Sequence, residues 1–363
     1  MKIINTFKNK LGSSKAKILI AFTIVLFGGC VQEIDLFTGK TSPLIVSGHV
    51  SNEPGPQSVK LYYSEGYNSR PNYNIVSDAR VAILDDQGNE EVLDYTSYGV
   101  FLTSDDFTGV VGRSYKLAIE LETGEKYESG FEPLKAAPDV SEASYTLTDN
   151  GNIIFNATYT DNPETEDYYR WRFEGTFQIQ APDYDDGGSW SSKFGFCYPG
   201  IEPKTRFEYC WVTDFDNGFL NLSSDEFTNG QTIENFPVYA IELTKAFDIG
   251  YSGQVKLESL SKEAYNYWSA MKAQLGNTGS IFETANYQIR GNIKDLSDPD
   301  VQVIGYFDAS AVSSARTYVD EFQSTFPPLT CEENLNGCKP VNCITCIKYS
   351  ANTTRFKPEY WPR

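Results

Sequence analysis

The chain has 363 residues, of which 40% are hydrophobic and 14% aromatic, and its 30 basic and 49 acidic residues give a net charge of −19. This charge argues against duplex nucleic acid as a partner, because phosphate binding needs clustered Lys and Arg. The single histidine, His49, argues against a Ser-His-Asp triad and against a multi-histidine metal site. The 24 Tyr and 23 Phe are typical of a β-protein, and the length allows two or three domains.

The N terminus has the layout of a secretory signal peptide. Lysines in the first seventeen residues precede the apolar block ILIAFTIVLF at 18–27, and two glycines follow it. As a helix this block would span about 15 Å, too little for a hydrocarbon core of roughly 30 Å. The stretch LFGGC ends at Cys30 and resembles a bacterial lipobox, in which the sulfur is acylated and the chain is cut before it. We predict a signal peptide over 1–29, lipidation of Cys30 (with palmitate, for example) and a tether over 30–42.

Residues 43–135 are predicted to form an antiparallel sandwich of immunoglobulin-like character. Short segments with alternating hydrophobicity follow one another at 44–51, 57–64, 99–104 and 112–130, without a helical pattern. Residues 79–95 predict a hairpin, because two such segments flank the turn sequence DQGN. The Pro-containing stretch at 132–140 is the expected boundary with the next domain.

Residues 136–326 are predicted to form a second β-rich domain. Its clearest strand is the segment at 167–180, which alternates aromatic with charged residues. The aromatic face carries Tyr169, Trp171 and Phe173, and the charged face carries Arg170, Arg172 and Glu174. We expect the aromatic face to be buried.

One prominent helix is predicted over residues 261–275 of this domain. Four apolar residues recur there at helical intervals, namely Ala264, Trp268, Met271 and Leu275. Ser261 can cap the start of the helix, and Gly276 can close its end. A Cys-rich tail at 327–363 completes the chain.

If Cys30 carries lipid, six cysteines remain, and an even number in an exported protein predicts disulfides. They are Cys197, Cys210, Cys331, Cys338, Cys343 and Cys346. A bond between Cys197 and Cys210 would close a short loop and stabilise the fold by about 3 kcal/mol. We expect two disulfides among the last four, in any of three pairings. Zinc is the weaker alternative for these four, because only one C-x-x-C pair is present.

Two other features suggest ligands, and for each a simpler explanation is preferred. The loop at 182–188 contains acidic residues that could bind calcium: Asp183, Asp185 and Asp186. It lacks the downstream Glu of an EF-hand, so we expect a solvated loop and no metal site. Four aromatic residues could stack on a sugar: Tyr168, Trp171, Trp190 and Trp211. Aromatics at strand period mostly build the core, and no cofactor motif is present.

Several segments together resemble the Bacteroidota lipoprotein family known as domain of unknown function 4249. They are LIVSGHVSNEPGPQSVKL, ARVAILDDQG, GRSYKLAIELETGEKYES, YYRWRFEGT, the pair Cys210-Trp211, SKEAYNYWSAMKAQL, GSIFE, RGNI and VIGYFDAS. The resemblance extends over nearly all of the chain after Cys30. It implies an outer-membrane lipoprotein, often encoded beside TonB-dependent receptors, and therefore a partner rather than a reaction. No catalytic residues are defined for this family, so none are transferred.

We therefore expect a non-enzymatic outer-membrane lipoprotein that assists a TonB-dependent β-barrel transporter in nutrient capture. Its small-molecule or glycan ligand is not identified by the sequence. An adhesion or structural module of the envelope is the alternative, and a solitary gene would favour it. A glycan hydrolase with paired carboxylates is a third hypothesis, which needs a specific separation between two acids.

Overall fold

The computed structural model describes residues 43–64, 74–181, 207–215, 220–276, 289–298, 301–320, 322 and 345–362. These residues form two β-sandwiches and, within the same ranges, one α-helix. The predicted mainly β fold, with an N-terminal immunoglobulin-like sandwich, a second β-rich part and one prominent helix, is confirmed. The predicted signal peptide, Cys30 and the tether lie outside the described residues. No helix in the described parts combines the length and the apolar character that a membrane crossing requires.

The helix, α1, extends over Lys262–Gly276, as the sequence predicts. The strands, in chain order, are β1 (Leu44–Ser51), β2 (Ser58–Tyr63), β3 (Asn74–Ile75), β4 (Ala79–Asp85), β5 (Glu90–Ser97), β6 (Val100–Leu102), β7 (Ser114–Leu121), β8 (Lys126–Ser129), β9 (Glu132–Pro133), β10 (Val140–Leu147), β11 (Asn152–Thr160), β12 (Tyr168–Gln180), β13 (Tyr209–Phe215), β14 (Asn221–Ser224), β15 (Thr232–Glu242), β16 (Gly250–Leu260), β17 (Ile293–Asp295), β18 (Ile304–Ser310), β19 (Val312–Asp320) and β20 (Thr353–Thr354).

The first sandwich is built from strands that run in the order β17-β8-β7-β4-β5-β6-β2-β1-β18, with β3 beside β2 and β9 beside β7. Strand β5 belongs to both layers, because its first half pairs with β4 and its second half with β6. Alternate residues of β7 are buried, namely Tyr115, Leu117, Ile119 and Leu121. The hairpin predicted over 79–95 is confirmed as β4 and β5.

Strands β17 and β18 join the first sandwich, although the sequence analysis assigns them to the second domain. Strand β17 pairs with β8, and β18 lies parallel to β1 with Ile45 opposite Ile304. Two glycines allow β18 to lie close to β1 and to the segment before β17. A Cβ on Gly305 of β18 would lie 1.8 Å from the Val46 carbonyl oxygen, and a Cβ on Gly291 would lie 1.6 Å from the Gly305 carbonyl oxygen. The first sandwich is therefore not continuous in sequence. Local hydrophobic alternation does not predict this, because it identifies a strand but not the sheet that the strand joins.

The second sandwich packs the sheet β10-β11-β15 against the sheet β19-β16-β12-β13-β20, with β14 beside β12. Aromatic rings fill the space between the sheets. Trp171 is completely buried and stacks on Phe236 with ring centroids 4.9 Å apart, and Phe173 stacks on Tyr239 at 4.5 Å. The predicted burial of the aromatic face of β12 is therefore confirmed.

Helix α1 lies against both sandwiches through its first two turns. Ser261 caps it, since the Ser261 Oγ accepts a hydrogen bond from the Ala264 N–H at 3.0 Å. Ala264 is buried beside Tyr168 and Tyr306. Leu275, which the helical pattern places on the same face, is 57% exposed, so the packing weakens towards the C-terminal end of α1.

Candidate functional site

An open cleft of about 790 Å³ lies between α1 and the edge of the first sandwich. We call it the α1 cleft. Its lining consists of residues 128–132, residues 289–292, Lys294, Leu296 and Tyr306, together with Glu263, Asn266, Tyr267 and Ala270 of α1. The four helical residues follow the i, i+3, i+4, i+7 spacing of one helix face. The volume lies within the range of about 300–1,000 Å³ that is typical of small-molecule sites.

The inner end of the α1 cleft is formed by the buried carboxyl group of Glu132. One oxygen accepts hydrogen bonds from the Tyr306 hydroxyl at 2.7 Å and the Asn292 amide at 2.9 Å, and the other accepts from the Ser261 hydroxyl at 2.7 Å. Glu132 thus connects β9 and β18 to the first turn of α1. In the sequence Glu132 falls at the expected domain boundary, and its role is not predictable from local patterns because its three donors are 129 to 174 residues away.

Burial raises the pKa of Glu132 above its ordinary value of 4.5. The three hydrogen bonds lower this pKa, and the negative charge of Asp308 raises it. Because the raised pKa belongs to the folded state, its contribution to stability is complete below about pH 4.5 and is lost as the pH rises through the folded-state pKa. We expect the Glu132→Gln protein, whose amide oxygen can still accept from Tyr306 and Asn292 while its NH2 group can donate to the Ser261 hydroxyl, to lose less stability than the wild type over this interval.

Urea unfolding of both proteins between pH 4 and pH 8 measures this difference. The control is Glu263→Gln, which removes an exposed acid from the same cleft. If the stability of the wild type and of Glu132→Gln changed with pH in the same way, the raised pKa of the buried Glu132 carboxyl group would be contradicted.

Charged groups of both signs line the α1 cleft. On the strand side, Lys294 lies opposite Glu128 in the β17–β8 pair, and the Lys116 Nζ is 2.8 Å from the Glu128 carboxylate. Arg290 lies four residues before Lys294, in the segment that leads into β17, and also lines the cleft. The floor and the helix contribute the acids Glu132 and Glu263. Among the described residues, Arg290, Lys294 and Glu263 make no ion pair, which leaves them available to a ligand.

A second buried charge network lies behind the α1 cleft and is centred on Arg170 of β12. Its guanidinium donates to Glu258 of β16 and, at 2.9 Å, to Asp308 of β18. Trp268 of α1 donates its indole N–H to Asp308 at 2.9 Å, and its ring lies 4.9 Å from the guanidinium. Burial alone would raise the pKa of Glu258, but Arg170 and Arg172 lower it to about 2. The network therefore connects both sandwiches and the helix.

The alternating pattern of β12 places Arg170 on the face opposite the aromatic residues, and this face is also covered. Arg170 is 2% exposed because α1 and β18 cover it. His49, half-buried in β1 opposite Asp308, has an Nε2 atom with no hydrogen-bond partner among the described residues. His49 helps to lower the Glu258 pKa.

Three buried acids of the second sandwich come together, and one of them, Asp225, is 58 residues from Asp167 in the sequence. Oxygen atoms of Asp161, Asp167 and Asp225 lie within 4.8 Å of one another and could hold a divalent cation. Donors of the chain already occupy them: the Tyr169 hydroxyl and the Gly230 N–H bind Asp161, and the Asp167 N–H binds Asp225. Burial, with Asp161 and Asp225 nearby, raises the pKa of Asp167. Hydrogen bonding within the chain accounts for this cluster as a structural feature.

A disulfide connects Cys210 of β13 to Cys346 across 136 residues of sequence. The predicted role of both cysteines is confirmed, but the expected pairing of Cys197 with Cys210 is wrong, and so is the expectation of two bonds among the last four cysteines. The bond holds the segment 345–362 against β13, where β20 also pairs. Part of the predicted tail therefore belongs to the second sandwich. Cys197, Cys331, Cys338 and Cys343 lie outside the described residues.

The aromatic residues considered as sugar platforms are mostly in the core. Tyr168, Trp171 and Trp211 are 8%, 0% and 8% exposed, which confirms their role in packing. Trp190 lies outside the described residues, as do the candidate calcium ligands Asp183, Asp185 and Asp186.

Solved structures with some likeness to the chain include fibronectin type III and immunoglobulin domains. A two-domain fibronectin type III segment from chicken tenascin is 11% identical, and the match covers 61% of this chain and 91% of that one, with a TM-score of 0.18. The N-terminal four immunoglobulin domains of Dscam1 isoform 6.44 are 12% identical over 62% and 70% of the two chains, with a TM-score of 0.20. Such low TM-scores do not establish a common topology.

Comparison at the sequence level identifies a family but no characterised relative. No curated protein matches the chain. The model of the family described as "Domain of unknown function (DUF4249)" matches residues 31–316, which include the first sandwich, α1, every residue that lines the α1 cleft, and the second sandwich except the end of β19 and the segment with β20. The protein belongs to this family.

Proposed function

We propose that the protein is a non-enzymatic lipoprotein of the outer membrane that binds a small molecule in the α1 cleft and assists a TonB-dependent transporter in its uptake. The observation that carries this proposal is the cleft itself, with Arg290, Lys294 and Glu263 at its sides and no ion pair for any of them among the described residues. Anchoring through acyl chains on Cys30 would keep the protein beside a membrane-embedded partner.

The position of Glu132 favours binding over hydrolysis. Both of its oxygens accept hydrogen bonds from fixed groups of the chain, namely Tyr306, Asn292 and Ser261. A general acid or base must instead exchange its proton with a substrate at hydrogen-bond distance. Glu132 is therefore better suited to holding the shape of the cleft than to proton transfer.

The proposal is tested by capturing partners and by filling the cleft. The full acylated chain, extracted in detergent and used as bait, should recover a β-barrel transporter.

Ala270→Trp places an indole in the cleft and should leave that capture unchanged. Cells of the source organism with this variant as their sole copy should lose in competition with wild-type cells as strongly as a deletion strain does, because the ligand can no longer enter.

Ala273→Trp is the matched control for cleft filling. Ala273 is exposed on the same helix and does not line the cleft, so cells with this variant should grow like the wild type. Failure to recover any barrel would overturn the transporter partnership. Normal fitness of Ala270→Trp cells, with a clear defect in the deletion strain, would overturn the role of the cleft.

A further inference from the structure

We propose that the α1 cleft binds a small zwitterion, a peptide-like molecule with an ammonium group at one end and a carboxylate at the other. This inference rests on the proposed function, since it takes the cleft as the ligand site. It adds the chemical class of the ligand, which follows from the unpaired charges of both signs that line the cleft in the described part of the chain.

The helix and the floor of the cleft form its acidic end. Glu263 is exposed in the first turn of α1 and makes no ion pair among the described residues. Glu132 lies below it, and its link to Ser261, two residues before Glu263, keeps the two acids close together. No base of α1 lines the cleft. A ligand ammonium placed there would meet negative charge from two sides.

The strand side forms the basic end. Lys294 and Arg290 line the cleft and make no ion pair among the described residues. The one acid on this side is Glu128, which already pairs with Lys116 at 2.8 Å. The remaining positive charge is unusual in a protein with a net charge of −19. It suits a carboxylate, which would receive hydrogen bonds and charge compensation from both bases.

Aromatic rings lie between the two ends. Tyr267 of α1 and Phe131 both line the cleft, and Phe131 is 51% exposed, so part of its ring remains uncovered. Exposed rings of this kind can contact the backbone or apolar side chain of a bound molecule. An uncharged sugar would use the rings but would leave Glu263, Arg290 and Lys294 desolvated and unpaired, which is unfavourable. A simple anion would pair only with the bases of the cleft and would leave Glu263 without a partner.

Calorimetric titration of the detergent-purified full chain with the tripeptide Ala-Phe-Ala tests this inference. The peptide is used in four forms: with free ends, N-acetylated, C-amidated and with both ends blocked. We expect the free form to bind and each single block to weaken binding by about tenfold. Maltotriose serves as the uncharged comparison and should not bind.

Two cleft variants assign the ends of the ligand. Glu263→Gln should weaken binding of the free peptide by about tenfold, and N-acetylation should then have no further effect. Arg290→Gln combined with Lys294→Gln should also weaken binding of the free peptide by about tenfold, and C-amidation should then have no further effect. The control variants Lys272→Gln and Glu234→Gln remove exposed charges outside the cleft and should bind like the wild type.

Equal affinity for free and blocked peptides would overturn the inference, and so would the absence of binding up to about 10 mM. Either result leaves the proposed function intact if a barrel is captured and Ala270→Trp cells lose fitness. Capture of no barrel overturns the proposed partnership even when the tripeptide binds. The two failures are therefore distinguishable.

Discussion

Replacing Arg170 with methionine is expected to lower the free energy of unfolding by about 3–5 kcal/mol at pH 7. Arg170, Glu258 and Asp308 are all at least 94% buried. Methionine has a similar volume but no charge, so the variant would bury two carboxylates without their cation. Uncompensated buried charge, rather than a lost contact, is the source of the expected effect.

Arg172→Met is the matched control. Arg172 is on the same strand, its side chain is 43% exposed, and its Nε is 3.6 Å from the same Glu258 carboxylate. Because solvent screens this pair, we expect a loss below about 1 kcal/mol. The triple variant Arg170→Met, Glu258→Gln, Asp308→Asn should recover much of the stability, because no charge is then left unpaired.

The pH dependence of the free energy of unfolding should also differ between the wild type and Arg170→Met. In the wild type the Glu258 pKa of about 2 lies below its ordinary value of 4.5, so its contribution is present above about pH 4.5 and is lost as the pH falls towards 2. In Arg170→Met the unpaired acids can be protonated, and the deficit should shrink on acidification. Urea unfolding at pH 7 and pH 4.5 measures both effects, and an equal loss for Arg170→Met and Arg172→Met would refute the account.

Removal of the Cys210–Cys346 bond should have an effect of similar size. The bond closes a loop across 136 residues, and the chain-entropy model gives about 5 kcal/mol for such a loop, with measured losses of about 2–5 kcal/mol. We expect the Cys210→Ala, Cys346→Ala protein to unfold at lower urea concentration. Residues 345–362 should become sensitive to protease, since β20 contributes only two ladder pairs with β13.

A second variant separates the crosslink from the packing of its sulfurs. Both cysteines are buried beside Ala181, so Cys210→Val, Cys346→Ala restores part of the lost volume without the bond. This protein should be nearly as unstable as the double alanine variant. Trp361 of the tail is buried and contacts the rings of Trp211 and Tyr318. Stability within about 1 kcal/mol of the wild type in either variant would show that this aromatic packing, rather than the disulfide, holds the tail.

Local patterns predict much of this fold because they report the period of each segment. The β4–β5 hairpin, the aromatic face of β12 and α1 all follow from spacing, turn residues and caps. The same patterns do not say what covers the second face of a strand, so they do not predict that Arg170 lies in the core. They also do not identify the partner strand, so β18 is expected in the second domain and pairs with β1.

The candidate site depends almost wholly on contacts between distant segments. Glu132 meets Ser261, Asn292 and Tyr306 only after both sandwiches have formed. The α1 cleft likewise combines Glu263 of the helix and Lys294 of β17, which belong to different elements, in one lining. Cysteine counting predicts oxidised cysteines but not the bond from Cys210 to Cys346, because the pairing follows from how β13 and the tail meet in space.

The position of β1 also has a mechanical consequence. It is the first strand after the residues that precede the described structure, and it lies between β2, which runs antiparallel to it, and β18, which runs parallel. Tension applied through a membrane-attached N terminus would enter at Leu44 and pull β1 along its own axis. The hydrogen bonds of two ladders would then be loaded together in shear, rather than broken one at a time. A protein tethered at this end would therefore be held by two ladders at its point of attachment.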